Sequence, residues 1–383
     1  MPKIKAQTNT ASDALKIGVL GAAAINYSSI IDPVQTHPGA VITAIAARSK
    51  AKAEAQIAKY ITNPIECKAY GSYEELLADP SIDAVYIPLP NGLHCEWAVQ
   101  AMQAGKHVLI EKPIANNANE ARRIKEVSAK TGKIALEAFH WRLHPTSIRV
   151  KQVIDSGKYG SVTNIRSFFA MPRGMLGGDD IRFNYSLGGG ASMDLTYVYS
   201  VCRHYTNDVG TVRITKANPR ICATDSKVDE AMTTEFVIER EGEPPVMCQT
   251  QADSSRAPFL GFIPRLWEMM PHAKIELERA RIEFPGFVLP HFGDGFVIHE
   301  KDETGRMTGK KVVEKKPASW DNGIGQGWWT TYRYQLEAFV GMIRAQERGT
   351  GWVGPIVSLD NSIDLMGTID AIYEHAVLPV RGL

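Results

Sequence analysis

Between residues 16 and 140, short apolar runs alternate with segments of helical character, and no other feature restricts the fold as much. KIGVLGA, AVITAIAARS, AVYIPLP, HVLIEKP and KIALEAFH are each nearly continuous in apolar residues. Strands of that kind are buried on both faces, as in a parallel sheet covered by helices on either side. The segments between them supply the helices. KAKAEAQIAKYI is rich in good helix formers with alanine along one face, HCEWAVQAMQAG closes at Gly105, and ANEARRIKEVSAKTG closes at Gly132. The expected first domain is therefore a doubly wound α/β sheet over residues 15–140.

Beyond about residue 160 the texture changes. SVTNIRSFFA, TVRITKA, MTTEFVIERE, PVMCQTQA, AKIELERARIEF and GFVIHEKDE read as strands, several of them alternating polar and apolar residues, with few helices between. An open, mostly antiparallel sheet with one exposed or partner-covered face is expected. Two amphipathic helices follow, TTYRYQLEAFVGMIRAQERG and SLDNSIDLMGTIDAIYEHA. Residues 141–383 thus read as an α+β domain for substrate binding and oligomerisation, whose last helices are able to pack back on the first domain. A length of 383 residues is enough for two full cores.

Charge and cysteine usage narrow the function classes. A formal net charge of +1 gives no electrostatic case for nucleic acid or an anionic membrane. The five cysteines, Cys67, Cys95, Cys202, Cys222 and Cys248, form no CxxC pair and are odd in number. That argues against a disulfide framework and against a zinc knuckle, so no metal is expected. The start, MPKIKAQTNTASDALK, lacks the apolar core of a signal peptide. No run reaches the roughly 18 apolar residues of a membrane span. A reduced, cytoplasmic protein with about ten disordered N-terminal residues is expected.

The end of each early strand carries chemistry. The first runs into Gly18-Val19-Leu20-Gly21-Ala22-Ala23-Ala24-Ile25-Asn26. Against a dinucleotide fingerprint only the first glycine, Gly21, survives, with Ala23 and Asn26 at the other two places. The turn nevertheless follows the first strand and opens a helix, where free N–H groups favour an anion. Gly21, Ala22, Ala23 and Ile25 are therefore candidates to hold a dinucleotide; the bland alternative is any tight strand–helix turn. An NAD enzyme usually places a carboxylate at the end of the second strand, but this chain has Arg48-Ser49-Lys50. A guanidinium, a hydroxyl and an ammonium suit a 2′-phosphate, which points to NADP(H), with NAD(H) possible. The competing reading is a solvated start to a surface helix. Pro90, Asn91 and His94 of PLPNGLH end the third strand and are candidates to line the nicotinamide half.

The fourth strand ends in Glu111-Lys112-Pro113. At that edge a lysine faces the ligand crevice, the proline fixes its backbone, and Glu111 is placed to orient it. Such a lysine can donate to a substrate oxygen, although an ion pair tying strand to helix would use the same three residues.

With PNGLH at strand three, EKP at strand four and an open-sheet second half, the chain resembles the glucose–fructose oxidoreductase and inositol dehydrogenase family (Gfo/Idh/MocA) over residues 15–383. Within it, the chain is most similar to the dimeric dihydrodiol dehydrogenase and NADP-dependent D-xylose dehydrogenase branch. The resemblance implies that Lys112 sits by the nicotinamide, often after a cis Lys–Pro bond, and that the sheet face pairs with another subunit as a dimer or tetramer. It also implies a second catalytic element, a glycine-rich stretch followed by Asp and, four residues on, Tyr or His. This chain has Gly188-Gly189-Gly190-Ala191-Ser192-Met193-Asp194-Leu195-Thr196-Tyr197-Val198-Tyr199, so Asp194 matches while the fourth place is Val198. Tyr197 is the favoured acid/base and Tyr199 the alternative. If residues 191–203 form one helix, Asp194 and Tyr197 share a face. In the stretch EAFHWRLHP the resemblance favours Arg142 as a cofactor or substrate contact, with His144 structural. Trp328, Trp329, Tyr332 and Tyr334 would stack on a sugar or serve as core.

Taken together, the expected function is NADP(H)-dependent hydride transfer to or from a sugar or related polyol, of aldose 1-dehydrogenase or dihydrodiol dehydrogenase type. Lys112, Asp194 and Tyr197 are the catalytic residues of that reading. Rival readings are a silent NADP-binding regulator on the same fold and an NAD-dependent glycosidase. Substrate choice is expected to lie in the loops around 171–187 and 254–272.

Overall fold

The computed structural model describes residues 11–61, 66–177, 180–260, 262–263 and 265–382. The expectation of disorder over the first ten residues falls outside the described residues. The chain divides into two compact units, one of residues 1–115, 119–143 and 329–359, the other of residues 116–118, 144–328 and 360–383.

The first unit is built on a six-stranded parallel sheet in the order β3-β2-β1-β4-β5-β6. Its strands are β1 Leu15–Leu20, β2 Ala40–Ala46, β3 Lys68–Tyr70, β4 Ala84–Ile87, β5 His107–Ile110 and β6 Ala135–Glu137. Five of the six were legible; β3 and the helix α3 Tyr73–Ala78 were not, because β3 reads Lys-Ala-Tyr, with no aliphatic run to mark it. Helix α1 Asp32–Gln35 continues a π-helical turn, Tyr27–Ile31; α2 is Lys50–Tyr60, α4 His94–Gln103 and α5 Ala118–Thr131. All four residues of β4 are buried, as its aliphatic run requires. Gly18 lets α3 approach β1: a Cβ there would lie 2.7 Å from Leu76 Cδ2. Even the turn into β5 is enclosed, where the buried Lys106 Nζ donates to the carbonyls of Asp79 (2.7 Å) and Ile82 (2.8 Å). The helix α9 Thr331–Glu347 belongs to this unit and packs on the 3₁₀ turn His140–Leu143.

The second unit opens with α6 Pro145–Asp155 and holds an eight-stranded sheet, ordered β14-β13-β12-β11-β7-β10-β9-β8. Its strands are β7 Val162–Pro172, β8 Thr211–Ile221, β9 Asp229–Glu239, β10 Val246–Arg256, β11 His272–Leu277, β12 Ala280–Pro285, β13 Gly295–Lys301 and β14 Met307–Lys315. Every neighbouring pair is antiparallel except β7 with β10. Two strand expectations need correction. AKIELERARIEF is a hairpin rather than one strand, turning at Glu278-Arg279 with no glycine or proline to mark it. MTGKKVVEK is a strand that its lysines concealed. Helices α7 Ala191–Asp194 and α8 Tyr197–His204 cover one face, with α8 packed on β7 and β10. The long helix α10 Leu359–His375 completes the unit.

Candidate active site

The carboxyl edge of the parallel sheet gathers most of the cofactor candidates. The Gly21 N–H donates to Ala46 O (2.8 Å), so the first turn and the end of β2 are side by side. Gly21 has φ +110°, which favours glycine there, and a Cβ on it would sit 3.0 Å from Leu89 Cδ2. Ala22 and Ala23 are partly exposed and Ile25 is exposed, leaving the loop accessible to a ligand. Asn26, at the place of the third fingerprint glycine, is a clamp that the sequence reading missed. Its fully buried amide donates to Gly21 O and to Gln56 Oε1, both at 2.8 Å, while Gln56 Nε2 donates to Ala23 O at 3.0 Å. Hydrogen bonds across the turn thus hold what close glycine packing holds elsewhere. Arg48, Ser49 and Lys50 are all exposed at the start of α2, and the Ser49 side chain makes no capping bond to the helix.

The PLPNGLH stretch divides. Pro90 and Asn91 are half-buried at the strand end, in and before a 3₁₀ turn, Asn91–Leu93. His94 is fully enclosed instead, its ring nitrogens each 2.8 Å from a carbonyl oxygen, of Pro113 and of Leu89. Burial pulls its pKa down to about 4, against the pull of those carbonyls and with Lys112 adding to the fall. With both nitrogens engaged, His94 is a latch between two loops.

That latch grips the loop that bears the lysine. The Lys112–Pro113 peptide is cis. The Glu111 N–H extends the ladder to Ile87 O (3.1 Å), and the Lys112 N–H donates to Glu111 Oε2 (3.2 Å). Tyr86 Oη donates to Glu111 Oε1 at 2.6 Å, and the Ile114 N–H to Glu137 Oε1 at 3.0 Å. Burial and the Glu111 charge raise the Tyr86 pKa well above the usual phenol range, so the phenol keeps its proton for that bond. Two carboxylates and a phenol, all buried or partly so, therefore fix the backbone on either side of Lys112. The signal for Tyr86 was a lone hydroxyl within an otherwise aliphatic strand.

In the second unit, the glycine-rich stretch and its successors also separate. The helix expected over 191–203 is interrupted at Leu195-Thr196, so Asp194 ends α7 and Tyr197 begins α8. The two residues therefore lie on separate helices and not, as expected, on one face of a single helix. Asp194 pairs with Arg182 Nε at 2.9 Å, an arginine also held by Asp180 at 3.0 Å, and the Asp194 charge is the main cause raising the guanidinium's pKa. Tyr199 is fully buried with its hydroxyl 3.1 Å from Ser192 Oγ, and burial drives its pKa up. Tyr197, also buried, packs edge-on against Phe169.

The remaining candidates are mostly buried. Arg142 is buried within the 3₁₀ turn His140–Leu143. His144 caps α6, accepting from the Thr146 N–H at 3.2 Å, as a structural residue would. Trp329 and Tyr334 are buried and meet edge to face, with the Arg333 guanidinium 3.9 Å from the Trp329 ring; Trp328 is exposed. The five cysteines are all buried and free. Among the described residues no helix is long and apolar enough to cross a membrane.

Comparison with known proteins agrees with this geometry. A family profile described as an oxidoreductase family with an NAD-binding Rossmann fold, GFO_IDH_MocA, matches residues 15–139, the span of the parallel sheet. A D-xylose 1-dehydrogenase (NADP(+)) of Haloferax volcanii is 32% identical over 366 residues, covering 94% of this chain and 97% of the relative. The chain belongs to the Gfo/Idh/MocA oxidoreductase family. A trans-1,2-dihydrobenzene-1,2-diol dehydrogenase of Xenopus tropicalis is 31% identical over 189 residues, 48% of this chain and 53% of its own. Both branches that the sequence resemblance named are thus among the relatives. The crystal structure of a 3-ketoreductase from Actinomadura kijaniata, in complex with TDP-benzene and NADP, superposes with a TM-score of 0.74 over 94% of this chain and 98% of that one. At 21% identity it supports the fold, and the expected α/β plus open-sheet architecture is borne out. The NADP(+) in the first relative's name agrees with the cofactor expected from Arg48.

Proposed function

We propose that this oxidoreductase uses NADP(H) to move hydride between the nicotinamide and a hydroxyl- or carbonyl-bearing carbon of a sugar or related polyol, as an aldose 1-dehydrogenase or dihydrodiol dehydrogenase does. The observation that carries the proposal is the station of Lys112, whose backbone N–H is held by the Glu111 carboxylate at the end of β5. Similarity over nearly the whole chain to an NADP-dependent xylose dehydrogenase supports the substrate class. The cofactor, when bound, accepts or returns the hydride. Gly21, Ala22, Ala23 and Ile25 would border its pyrophosphate, Arg48, Ser49 and Lys50 its 2′-phosphate, and Pro90, Asn91, Glu111 and Arg142 its remaining parts.

For oxidation, Tyr197 takes the hydroxyl proton as hydride leaves the carbon. Lys112 donates a hydrogen bond to the substrate oxygen. Asp194, fixed by Arg182, orients the tyrosine or binds a neighbouring sugar hydroxyl. An aldopyranose would yield a lactone; run in reverse, the site reduces a carbonyl. We further propose a cytoplasmic homo-oligomer that associates through the open sheet. Support comes from the buried thiols and from the uncovered face around Arg166, Phe168, Thr233, Glu235, Gln249 and His272.

A panel of aldoses, polyols and dihydrodiols, run with NADP+ and with NAD+, tests the reading. Growth of the reduced-nicotinamide band with an aldose or dihydrodiol, faster with NADP+, is expected. Cofactor binding without turnover on any of them would favour a regulator instead.

A further inference from the structure

The bend at Gly188–Gly190, which leads into Asp194 and Tyr197, is seated on a polar cluster assembled from distant parts of the chain. Asp229, at the start of β9, is completely enclosed. Its Oδ2 accepts from the Ser192 N–H and from Ser192 Oγ, both at 2.8 Å. Its Oδ1 accepts from Tyr373 Oη at 2.8 Å and from Arg381 Nη2 at 2.9 Å. Arg381 is equally enclosed, and its Nε donates to Gly189 O at 2.6 Å while Nη1 donates to Pro379 O at 2.7 Å. The guanidinium lies 4.0 Å from the centre of the Tyr373 ring. Gly190 has φ +140°, and a Cβ on it would fall 2.3 Å from Asp229 Oδ1, 2.7 Å from Tyr373 Oη and 2.9 Å from Arg381 Nη2. The glycine is there because the cluster occupies the space.

A buried ion pair contributes little net stability compared with apolar groups of the same shape, since both charges lose their water. What this one does offer is direction. Arg381 fixes a backbone carbonyl, Asp229 fixes the next helix start, and between them they leave residues 189–192 one position. We propose that Arg381, Asp229 and Tyr373 are positioning residues for hydride transfer, setting the station of α7 and α8 and through them of Asp194 and Tyr197. The inference rests on the catalytic roles given above.

The test uses the full chain and D-xylose, with and without deuterium at carbon 1, as probe. Tyr373→Phe keeps the ring and removes one donor to Asp229. Arg381→Lys keeps the charge but cannot reach Gly189, Pro379 and Asp229 together. Displacing a catalytic group by a fraction of an ångström to an ångström lowers turnover about 10- to 100-fold. We expect kcat to fall by that factor in both variants, with NADP+ affinity unchanged and a larger deuterium isotope effect, because hydride transfer becomes the slow step. A purely structural lesion reduces the amount of active protein and leaves the isotope effect where it was. Wild-type kcat in Tyr373→Phe, or a lower kcat with an unchanged isotope effect, overturns the proposal; should Arg381→Lys fail to fold, Tyr373→Phe decides alone. Tyr197→Phe separates the two levels. If it keeps full turnover, or the wild type oxidises no aldose, the functional reading falls and this inference with it.

Discussion

Replacing Asn26 with alanine would test whether hydrogen bonds really stand in for the missing fingerprint glycine. The Nδ2 group gives up two buried bonds of 2.8 Å, to Gly21 O and Gln56 Oε1. At about 1 kcal/mol each, that is a loss of about 2 kcal/mol, and the cavity left by the amide adds about 1 kcal/mol. On the other side, Asn26 Oδ1 is buried with no hydrogen-bond partner among the described residues, so removing it returns about 1 kcal/mol. The net expectation is a destabilisation of about 2 kcal/mol, which for a domain of this size lowers Tm by about 4–8 °C. Thermal unfolding by circular dichroism reads the change, and a cycle with Gln56→Leu isolates the pair. The coupling should be about 1 kcal/mol, because each single variant strands a partner of the other. NADP+ affinity should weaken too, since Ala23 O loses its tether once Gln56 is freed. A Tm at or above that of the wild type, or additive effects in the cycle, would refute the argument.

Three further outcomes are expected. Lys112→Met should lower turnover by about three or more orders of magnitude while NADPH still binds, as measured by steady-state kinetics beside fluorescence titration. Arg48→Ala should weaken NADP+ about 10- to 100-fold, the value of a charge-assisted phosphate contact, and leave NAD+ affinity unchanged in the same titration. His144 has its pKa pulled down from 6.5 to about 3, first by burial and then by the charges of His291 and Lys316. The unfolded chain therefore takes up the proton first, so stability is full above pH 6.5 and drains as pH falls toward 3. His144→Asn retains an acceptor for the Thr146 N–H and should reduce the slope of unfolding free energy against pH by about 1.4 kcal/mol per unit, read from urea melts between those limits.

The parts of this molecule that were legible in its sequence are those written in consecutive residues. Five strands of the first sheet could be read from aliphatic runs, and EKP and the Arg48 triplet from side-chain chemistry at strand ends. What escaped was short, or written across distance. β3 reads Lys-Ala-Tyr and has no aliphatic run to detect. The β11–β12 turn has none of the usual turn residues, and the apolar positions on either side ran together. The break at Leu195-Thr196 left Asp194 and Tyr197 on separate helices, which helical periodicity cannot register. His94 was read for its imidazole, but two carbonyls from separate loops decide what that ring does. Arg381 and Asp229 are 152 residues apart, and nothing local announces their pairing.

The two sheets end very differently at their margins. The parallel one is bounded by strands of three residues each, β3 and β6, too brief to template the addition of a foreign strand. The other is bounded by β8, eleven residues with Pro219 and two irregularities in register, and by β14, nine residues bearing Lys310, Lys311 and Lys315. Proline, bulges and lysines are what keep a long rim from sticking to its like. Such borders discourage edgewise stacking, so that even at high concentration copies of the chain would not string into fibres.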